Sequence, residues 1–576
     1  MGATSRPRGA DGPRDRVVCR TAGPPMLVMV ALDETPDLYG AFPRLTAAQV
    51  QSLSAMGVRR DTQEGEVLYR EGDLQCDFYV ILAGRVAVVE DHGGPNEHVI
   101  GVHGPGRFLG ELSLLTGQAV FVTAVVLEPG AVLEVPTDGV RRLVVQDPSL
   151  GNVILRAYLL RRSLMIGWGA GFRIVGSRYS PATMRLREFA DRNRLPHRWI
   201  DLDADPQAES LLADLGVRPD ETPVVIWRGE TVLRNPSPAE LARLVGLRQA
   251  HPCEGLCDLL VVGAGPAGLA AAVYGASEGL TTVMLDAVAS GGQAGSSPQI
   301  ENYLGFPLGI PGTDLAERAA VQAEKFGARL SVPAEAVALE RHEAHYVVTL
   351  DDGEALHSRT VVIATGARYR RLDVPRLEEF EGTSVYHAAT HVEAQLCHMD
   401  PVVVVGGGNS AGQAAMYMAG HAKRVYLLVR ADDLGRSMSR YLAQRIEQCP
   451  DVEVLLNTEV RELQGDRVLE GVVVEDRRTG ERRVIEARAL FVFIGADPHT
   501  GWLGDQVARD DHGFVLTGAT SLETNLPGVF AAGDVRSGSI KRVAAAVGEG
   551  ATAIRQVHSY FEWTAGQPTR RSTPAQ

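Results

Sequence analysis

Cysteine is scarce in this chain, with six residues among 576. They stand at Cys19, Cys76, Cys253, Cys257, Cys397 and Cys449, and no two have CxxC spacing. A disulfide scaffold is therefore excluded, and a reducing cytoplasm is the expected compartment. Basic residues are in deficit, 57 against 71 acidic ones, for a net charge of −14. With no basic block or basic amphipathic helix, nucleic acid and anionic membrane are not expected partners. Apolar runs are short, and one of the longest, MLVMVAL at 26–32, falls far below a bilayer span. Residues 1–25 are rich in Arg, Gly and Pro and lack the apolar core of a signal peptide. With the rest of 1–37 they read as a disordered tail, or as an overlong start before a true first residue at Met26 or Met29. No metal site is expected.

What is present is two glycine-rich turns, each between a strand-like apolar run and a helical pattern. The first, LLVVGAGPAGLAAAVYGA, sets Gly263, Gly265 and Gly268 in GxGxxG register. The second, VVVVGGGNSAGQAAM, sets Gly406, Gly408 and Ala411 in the GxGxxA variant. Glycine permits the tight turn, and N–H groups at the helix start then receive a pyrophosphate. One such turn is weak evidence; two, each with its own second strand, point to an enzyme holding two dinucleotides. After the first, TTVMLDA ends in Asp286, 23 residues beyond Gly263, where a carboxylate meets an adenosine ribose. After the second, RVYLLVRADDLGR presents Arg430 and Arg436, which attract a 2′-phosphate where an acid would repel it. The first site reads as FAD or NAD, the second as NADP.

Composition is that of a soluble globular protein, 45% apolar and 22% charged, and the length implies three or four domains. Residues 38–165 show short glycine-punctuated strands with a helical exit, a β-roll. Residues 166–250 give a βαβαββα order, and 249–255 read as a linker. The remainder, from 251 to 563, holds the two glycine-rich turns and is expected as Rossmann-like α/β structure. Residues 564–576 form a polar tail.

The stretch 256–563 resembles the low-molecular-weight thioredoxin reductases. The matching motifs are GAGPAGL (263–269), SGGQ (290–293), IENYLGFP (300–307), ATGA (364–367), VVGGGNSAGQAAM (404–416), VFAAGDVR (529–536) and KRVAAAVGEG (541–550). The resemblance implies an FAD site on Gly263, Gly265, Pro266, Ala267, Gly268 and Asp286. It extends that site over Gly292, Gln293, Asn302, Thr365 and Gly366, then Gly533 and Asp534, which accepts a ribitol hydroxyl. The backbone of Lys541, Arg542 and Val543 would lie beside the isoalloxazine. NADPH would meet Gly406, Gly408, Asn409, Ser410 and Ala411, with Arg430 and Arg436. The resemblance also implies a homodimer, and an FAD-binding domain in two pieces, 251–373 and 491–563, interrupted by an NADPH-binding domain at 374–490. Where the family carries its redox-active CxxC, however, this chain reads SVYHAATHVEAQ (384–395), without cysteine. Cys253 and Cys257 form only a CxxxC at the wrong end of the flavin strand.

Residues 38–165 resemble cyclic-nucleotide-binding domains through GEVLYREGD, FYVILAGRV and FLGELSLLTGQ. Gly110 and Glu111 would hold the ribose and cyclic phosphate, but the arginine due some nine residues on is missing from GQAVFVTAVV (117–126). Burying a phosphate without its cation is costly, so a vestigial pocket is expected, with Arg107 the nearby candidate cation. Residues 167–247 resemble thioredoxin and glutaredoxin domains, with Thr222–Pro223 at their cis-proline and Ser180–Pro181–Ala182–Thr183 in place of CPxC. Hydroxyls form no thiolate for exchange, leaving docking or spacing as this unit's use. The expected function is hydride transfer from NADPH to FAD, then electron delivery to a quinone, dioxygen, a redox protein or an artificial dye. Orientation suffices for the hydride step, so no catalytic side chain is assigned. Two alternatives stand beside it: disulfide reduction by a noncanonical thiol route, and a ligand or cyclic-nucleotide sensor gating a slow flavoprotein.

Overall fold

The computed structural model describes residues 33–565 except 75, 95, 115–116, 229–230, 249–254, 344, 398 and 467. The alternative starts at Met26 and Met29, Cys253, nearly all of the linker and most of both tails lie outside the described residues.

The N-terminal unit is built on two long antiparallel strands, Phe78–Glu90 and Thr123–Val135. Their Val, Leu and Ile suit a pleat buried on both sides. The register slips around Ala83, where a Cβ on Gly130 would stand 2.0 Å from the Ala83 carbonyl oxygen. That bulge bends both strands, and Val58–Thr62, Val67–Tyr69, His98–His103 and Phe108–Leu109 complete the roll.

Helix Pro148–Trp168 carries the chain out of the roll. Asp147 caps it, Oδ1 accepting from the Ser149 and Leu150 N–H groups, and Gly169 in the left-handed region ends it. It runs past the expected boundary at 165 and joins the three parts of the molecule. Arg161 turns into the roll, its Nη1 2.7 Å from Glu111 Oε1. The neighbouring Arg162 reaches Glu317 at 3.5 Å, on the helix Gly312–Lys325 of the C-terminal half.

The βαβαββα unit has the expected order, its four strands lying 231–234, 224–227, 172–176, 197–201 across the sheet. Thr222–Pro223 is cis. Ser180 caps helix Pro181–Arg192, and the buried Thr183 hydroxyl has no hydrogen-bond partner among the described residues. A Cβ on Gly176 would stand 2.3 Å from Thr183 Oγ1 and 3.0 Å from Pro223 Cβ, so the thioredoxin-type corner is present with a hydroxyl in it. The roll and this unit, expected as separate modules, share one apolar core in which Tyr69, Val88 and Val122 pack with Phe172, Trp227 and Leu241. The Phe121 and Trp227 rings lie 5.8 Å apart, and the Ala119 N–H donates to Val245 across the junction.

In the C-terminal half, parallel strands Leu256–Val262, Thr282–Leu285 and Arg329–Ser331 continue through Ala355–Ile363 to Val529–Ala531. The last of these comes from the far end of the chain, which makes the sheet discontinuous as expected. A second parallel sheet orders 385–386, 489–492, 401–405, 424–429, 452–456. The expected limit at 490 cuts its strand Ala489–Val492; the natural crossing is the two-stranded ribbon Ala367–Tyr369 with Ala496–Pro498. Among the described residues, no helix is long and apolar enough to cross a membrane, and no group of His, Cys, Asp or Glu is placed to hold a metal ion.

The Arg161–Glu111 pair generates a stability prediction. Both side chains are almost wholly buried, and removing one partner strands the other's charge. Glu111→Ala should lower the unfolding free energy by about 3–5 kcal/mol in denaturant titration. Glu111→Leu combined with Arg161→Met should recover most of that loss, and an additive double mutant would refute the coupling.

Candidate functional site

A cleft of about 890 Å³ runs between the two Rossmann-like sheets. Its floor is the first glycine turn, formed because side chains are missing where backbones meet. Gly263, at φ +106°, would place a Cβ 2.3 Å from the Ala364 carbonyl oxygen, and a Cβ on Gly268 would stand 1.8 Å from the Gly263 oxygen. Gly265 differs: a Cβ there meets only Gly292 Cα, at 3.9 Å, so it faces open cleft. Pro266 and Ala267 begin the helix Pro266–Ser277 behind it and line the cleft. This is a cradle for a group that approaches backbone closely, which fits a pyrophosphate.

Asp286 lines the cleft at the expected strand end. Its Oδ2 accepts from the Ala264 N–H at 2.9 Å and its Oδ1 from Val288 and Ala289, so the carboxylate also braces the turn. Gly292 and Gln293 form a second wall, and the Gln293 amide donates to the Ala367 carbonyl. Asn302 lies at the exposed rim. Thr365 and Gly366 close the bottom, with the Thr365 hydroxyl donating to His499 O at 2.7 Å.

Opposite stands the turn at Gly533 and Asp534. Glu549, a residue that sequence reasoning left unassigned, accepts from the Gly533 N–H at 2.7 Å and pairs with Arg536 at 2.6 Å. Burial raises the Asp534 carboxyl above its ordinary range, against the pull of Lys541. Lys541, Arg542 and Val543 line the same wall, and Val543 opens a 23-residue helix whose first N–H groups suit a partially anionic ring.

The second glycine turn meets the cleft from the other sheet. Gly406, at φ +147°, leaves 2.4 Å between a built Cβ and Phe493 O, and 3.0 Å to the Ala411 Cβ, which explains the small residue there. Gly408 has open space before helix Asn409–Ala419. Asn409 and Ser410 line the cleft, whereas Gly406, Gly408 and Ala411 sit behind them, as Gly268 does in the first turn. Tyr369, which the sequence did not single out, donates to Ser410 Oγ at 3.1 Å from the flavin side. Arg430 and Arg436 lie outside the cleft, exposed, on a loop held over the turn by the bond from Ser437 Oγ to Gly407 O. Arg477 joins them by donating to Arg430 O, a contact that crosses 47 residues.

The cysteine-free segment does reach the cleft, through Tyr386, His387, Ala388 and Glu393. Glu393 is buried, and burial lifts its carboxyl to about 7. None of the described cysteines lines the cleft. Cys257 is buried against His357 O, and burial pushes the Cys397 thiol up to about 12.

Gly110 and Glu111 line a cavity of only about 50 Å³ in the roll. Arg161 fills it, stacked 4.8 Å from Phe108 and 5.2 Å from Phe42. A nucleotide-sized ligand needs about 300 Å³ or more. The cation beside Glu111 is thus Arg161, fifty residues away, and not Arg107, which bonds to Thr35 O and Glu34.

Comparison with known proteins agrees with this geometry. Residues 257–550 match the family described as pyridine nucleotide-disulphide oxidoreductase, and residues 59–147 match the cyclic nucleotide-binding domain. A thioredoxin reductase of Streptomyces clavuligerus is 34% identical over 305 residues, 53% of this chain and 94% of that protein. An NADH dehydrogenase of Bacillus subtilis is 34% identical over 307 residues, 53% of this chain and 58% of its own length. The crystal structure of T. acidophilum thioredoxin reductase is 32% identical, with a TM-score of 0.51, covering 54% of this chain and all of that one. Since the family match spans more than half of its length and the cleft has the backbone cradle that dinucleotides require, this chain belongs to the pyridine nucleotide-disulphide oxidoreductase family, as an FAD-dependent, thioredoxin reductase-like enzyme that uses a nicotinamide cofactor.

Proposed function

We propose that this protein oxidises NADPH through FAD and delivers the electrons to an acceptor other than a dithiol. The observation that carries the reading is the single cleft that joins the first glycine turn, the Gly533–Asp534 wall and the start of the second fingerprint helix at Asn409 and Ser410. Bound there, FAD supplies hydride acceptance from a nicotinamide and onward electron transfer. The chain's share is to hold and orient. The Gly263–Gly268 turn takes the pyrophosphate, Asp286 the adenosine ribose, Asp534 a ribitol hydroxyl, and the helix beginning at Val543 the ring edge. Gln293, Asn302, Thr365 and Gly366 frame the same molecule. NADPH lies on the second turn, with its 2′-phosphate toward Arg430 and Arg436. Quinones, dioxygen, dyes and redox proteins are the acceptor classes, in a cytoplasmic homodimer; sedimentation tests the dimer.

A second reading, control through the roll, is favoured by helix Pro148–Trp168. Arg161 ends in the roll's cavity and Arg162 on Glu317 of the flavin half. Whatever displaced Arg161 would act on a helix docked behind the cleft.

Three outcomes test the main reading. Gly265→Leu should keep the melting temperature of the apoprotein, since the site is open, yet weaken FAD binding by about a hundredfold or more, the loss of roughly two charge-assisted contacts. Unchanged FAD affinity would refute the cradle. Arg430→Ala should lower kcat/KM for NADPH about ten- to a hundredfold, mostly through KM, with NADH kinetics unmoved; equal loss for both cofactors would count against the 2′-phosphate contact. Cys257, Cys397 and Cys449 changed together to Ser should leave NADPH-dependent dye or quinone reduction within about a few-fold of the wild type. A robust thioredoxin-coupled rate that collapses in this variant would restore the thiol route.

A further inference from the structure

The thioredoxin-like unit has no thiol to exchange, yet it forms part of the cleft. Glu188 and Arg192, on its helix Pro181–Arg192, line the same cavity as the first glycine turn. Arg192 Nη2 donates to Gly292 O at 3.4 Å. Gly292, at φ +54°, is the residue that faces the turn: a Cβ on it would stand 3.0 Å from Gly265 Cα. The guanidinium is therefore held on the Gly292 wall of the cleft, next to the turn at Gly265 where the pyrophosphate approaches.

Its neighbours fix that position. Asn193 Nδ2 donates to Val288 O at 2.9 Å, and Arg194 pairs with Glu317 at 3.2 Å. The charge balance at this end of the cleft also asks for a cation, because Asp286 and Glu188 are both acidic and a diphosphate adds two negative charges. Of the other cleft cations, Arg371 is engaged with Glu381 at 2.6 Å and Lys541 with Asp534 O at 3.1 Å, while Arg368 stands on the ribbon Ala367–Tyr369 and Arg542 on the opposite wall beside Val543. Among the described residues, Arg192's carboxylate partner is Glu188 at 3.4 Å, long for a charge-assisted bond. At 20% side-chain exposure it is largely withdrawn from water but not walled off from the cleft.

We propose that Arg192 is a ligand of the FAD diphosphate, supplied by the thioredoxin-like unit, so that this redox-inert unit is part of the flavin site. The proposal rests on the assignment of FAD to the first glycine turn. Guanidinium matches phosphate as a planar fork, and the two residues after its helix hold it against Val288 and Glu317 of the flavin half.

The test titrates full-length apoprotein with FAD, followed by flavin fluorescence, at low and high salt. Arg192→Ala should raise Kd about ten- to a hundredfold at low salt, with Arg192→Lys between it and the wild type. Arg192→Gln, which keeps the stem and a donor but loses the charge, should group with Arg192→Ala. The gap from wild type should narrow as salt rises, because a partly exposed charge is screened. Asn193→Ala loosens the docking contact at Val288 without entering the cleft, and should show neither the full loss nor its salt dependence. A Kd for Arg192→Ala within about twofold of the wild type, or Arg192→Gln behaving as wild type, overturns the proposal. So does a salt-independent loss that Asn193→Ala reproduces, since Arg192 would then serve docking alone. Failure of the wild type itself to bind FAD, or full affinity in Gly265→Leu, would instead overturn the FAD assignment.

Discussion

The structure depends on backbone packed against backbone around the first fingerprint helix. A Cβ on Gly268 would lie 1.8 Å from Gly263 O, and one on Gly550 would lie 2.2 Å from Ala267 O. The first contact pulls the helix onto its own turn; the second presses the C-terminal helix onto that helix. Together they set the width of the cleft, the aim of the helix start, and the approach of the Gly533–Asp534 wall, which rides on the same C-terminal helix through Glu549. Larger residues at either glycine would push apart the surfaces that the cofactor has to bridge.

The first contact was legible in the sequence because it is local: a glycine at fixed offset after a strand has few structural explanations. The two turns and the strand ends at Asp286 and Arg430 follow from short motifs, whereas the contact of Gly550 with Ala267 and the discontinuous flavin sheet join distant parts of the chain, the sheet being expected only from the family resemblance. What sequence could not display were contacts between distant residues of ordinary type. Arg161 meets Glu111 across 50 positions, and Arg192 meets Gly292 across 100. Neither arginine stands in a motif, and nothing in the sequence of its own helix marks it for a distant partner. The common core of roll and thioredoxin-like unit was hidden for the same reason. Val, Phe and Trp at strand positions predict burial but not against which neighbour, so Phe121 and Trp227 could not be paired in advance.

The cysteine-free segment places the chemistry differently from a dithiol enzyme. Residues 386–388 line the cleft, and the buried carboxyl of Glu393 lines it with them. Burial holds the Cys397 thiol protonated at neutral pH, the wrong state for exchange. The corner at Thr183 and Pro223 likewise carries a hydroxyl and no sulfur. Under the proposed function, electrons exit from the cofactor itself, and the βαβαββα unit has a structural part in the cleft wall.

The pairing of strand Val529–Ala531 with Ala355–Ile363 has a consequence during synthesis. When the ribosome has made the first four parallel strands, one edge of the strand at 355–363 is paired only at 355–358, with 346–349, and 361–363 still lack their neighbour. About 165 further residues must emerge before that partner exists, roughly 8–33 s at cellular elongation rates. An unpaired strand edge invites association with other chains. The inserted second sheet has all its strands once 489–492 appear, and its chain fills most of that interval. The order in which the chain is translated thus leaves the flavin half as the last part to close, on a frame that the N-terminal half and the inserted sheet have already assembled.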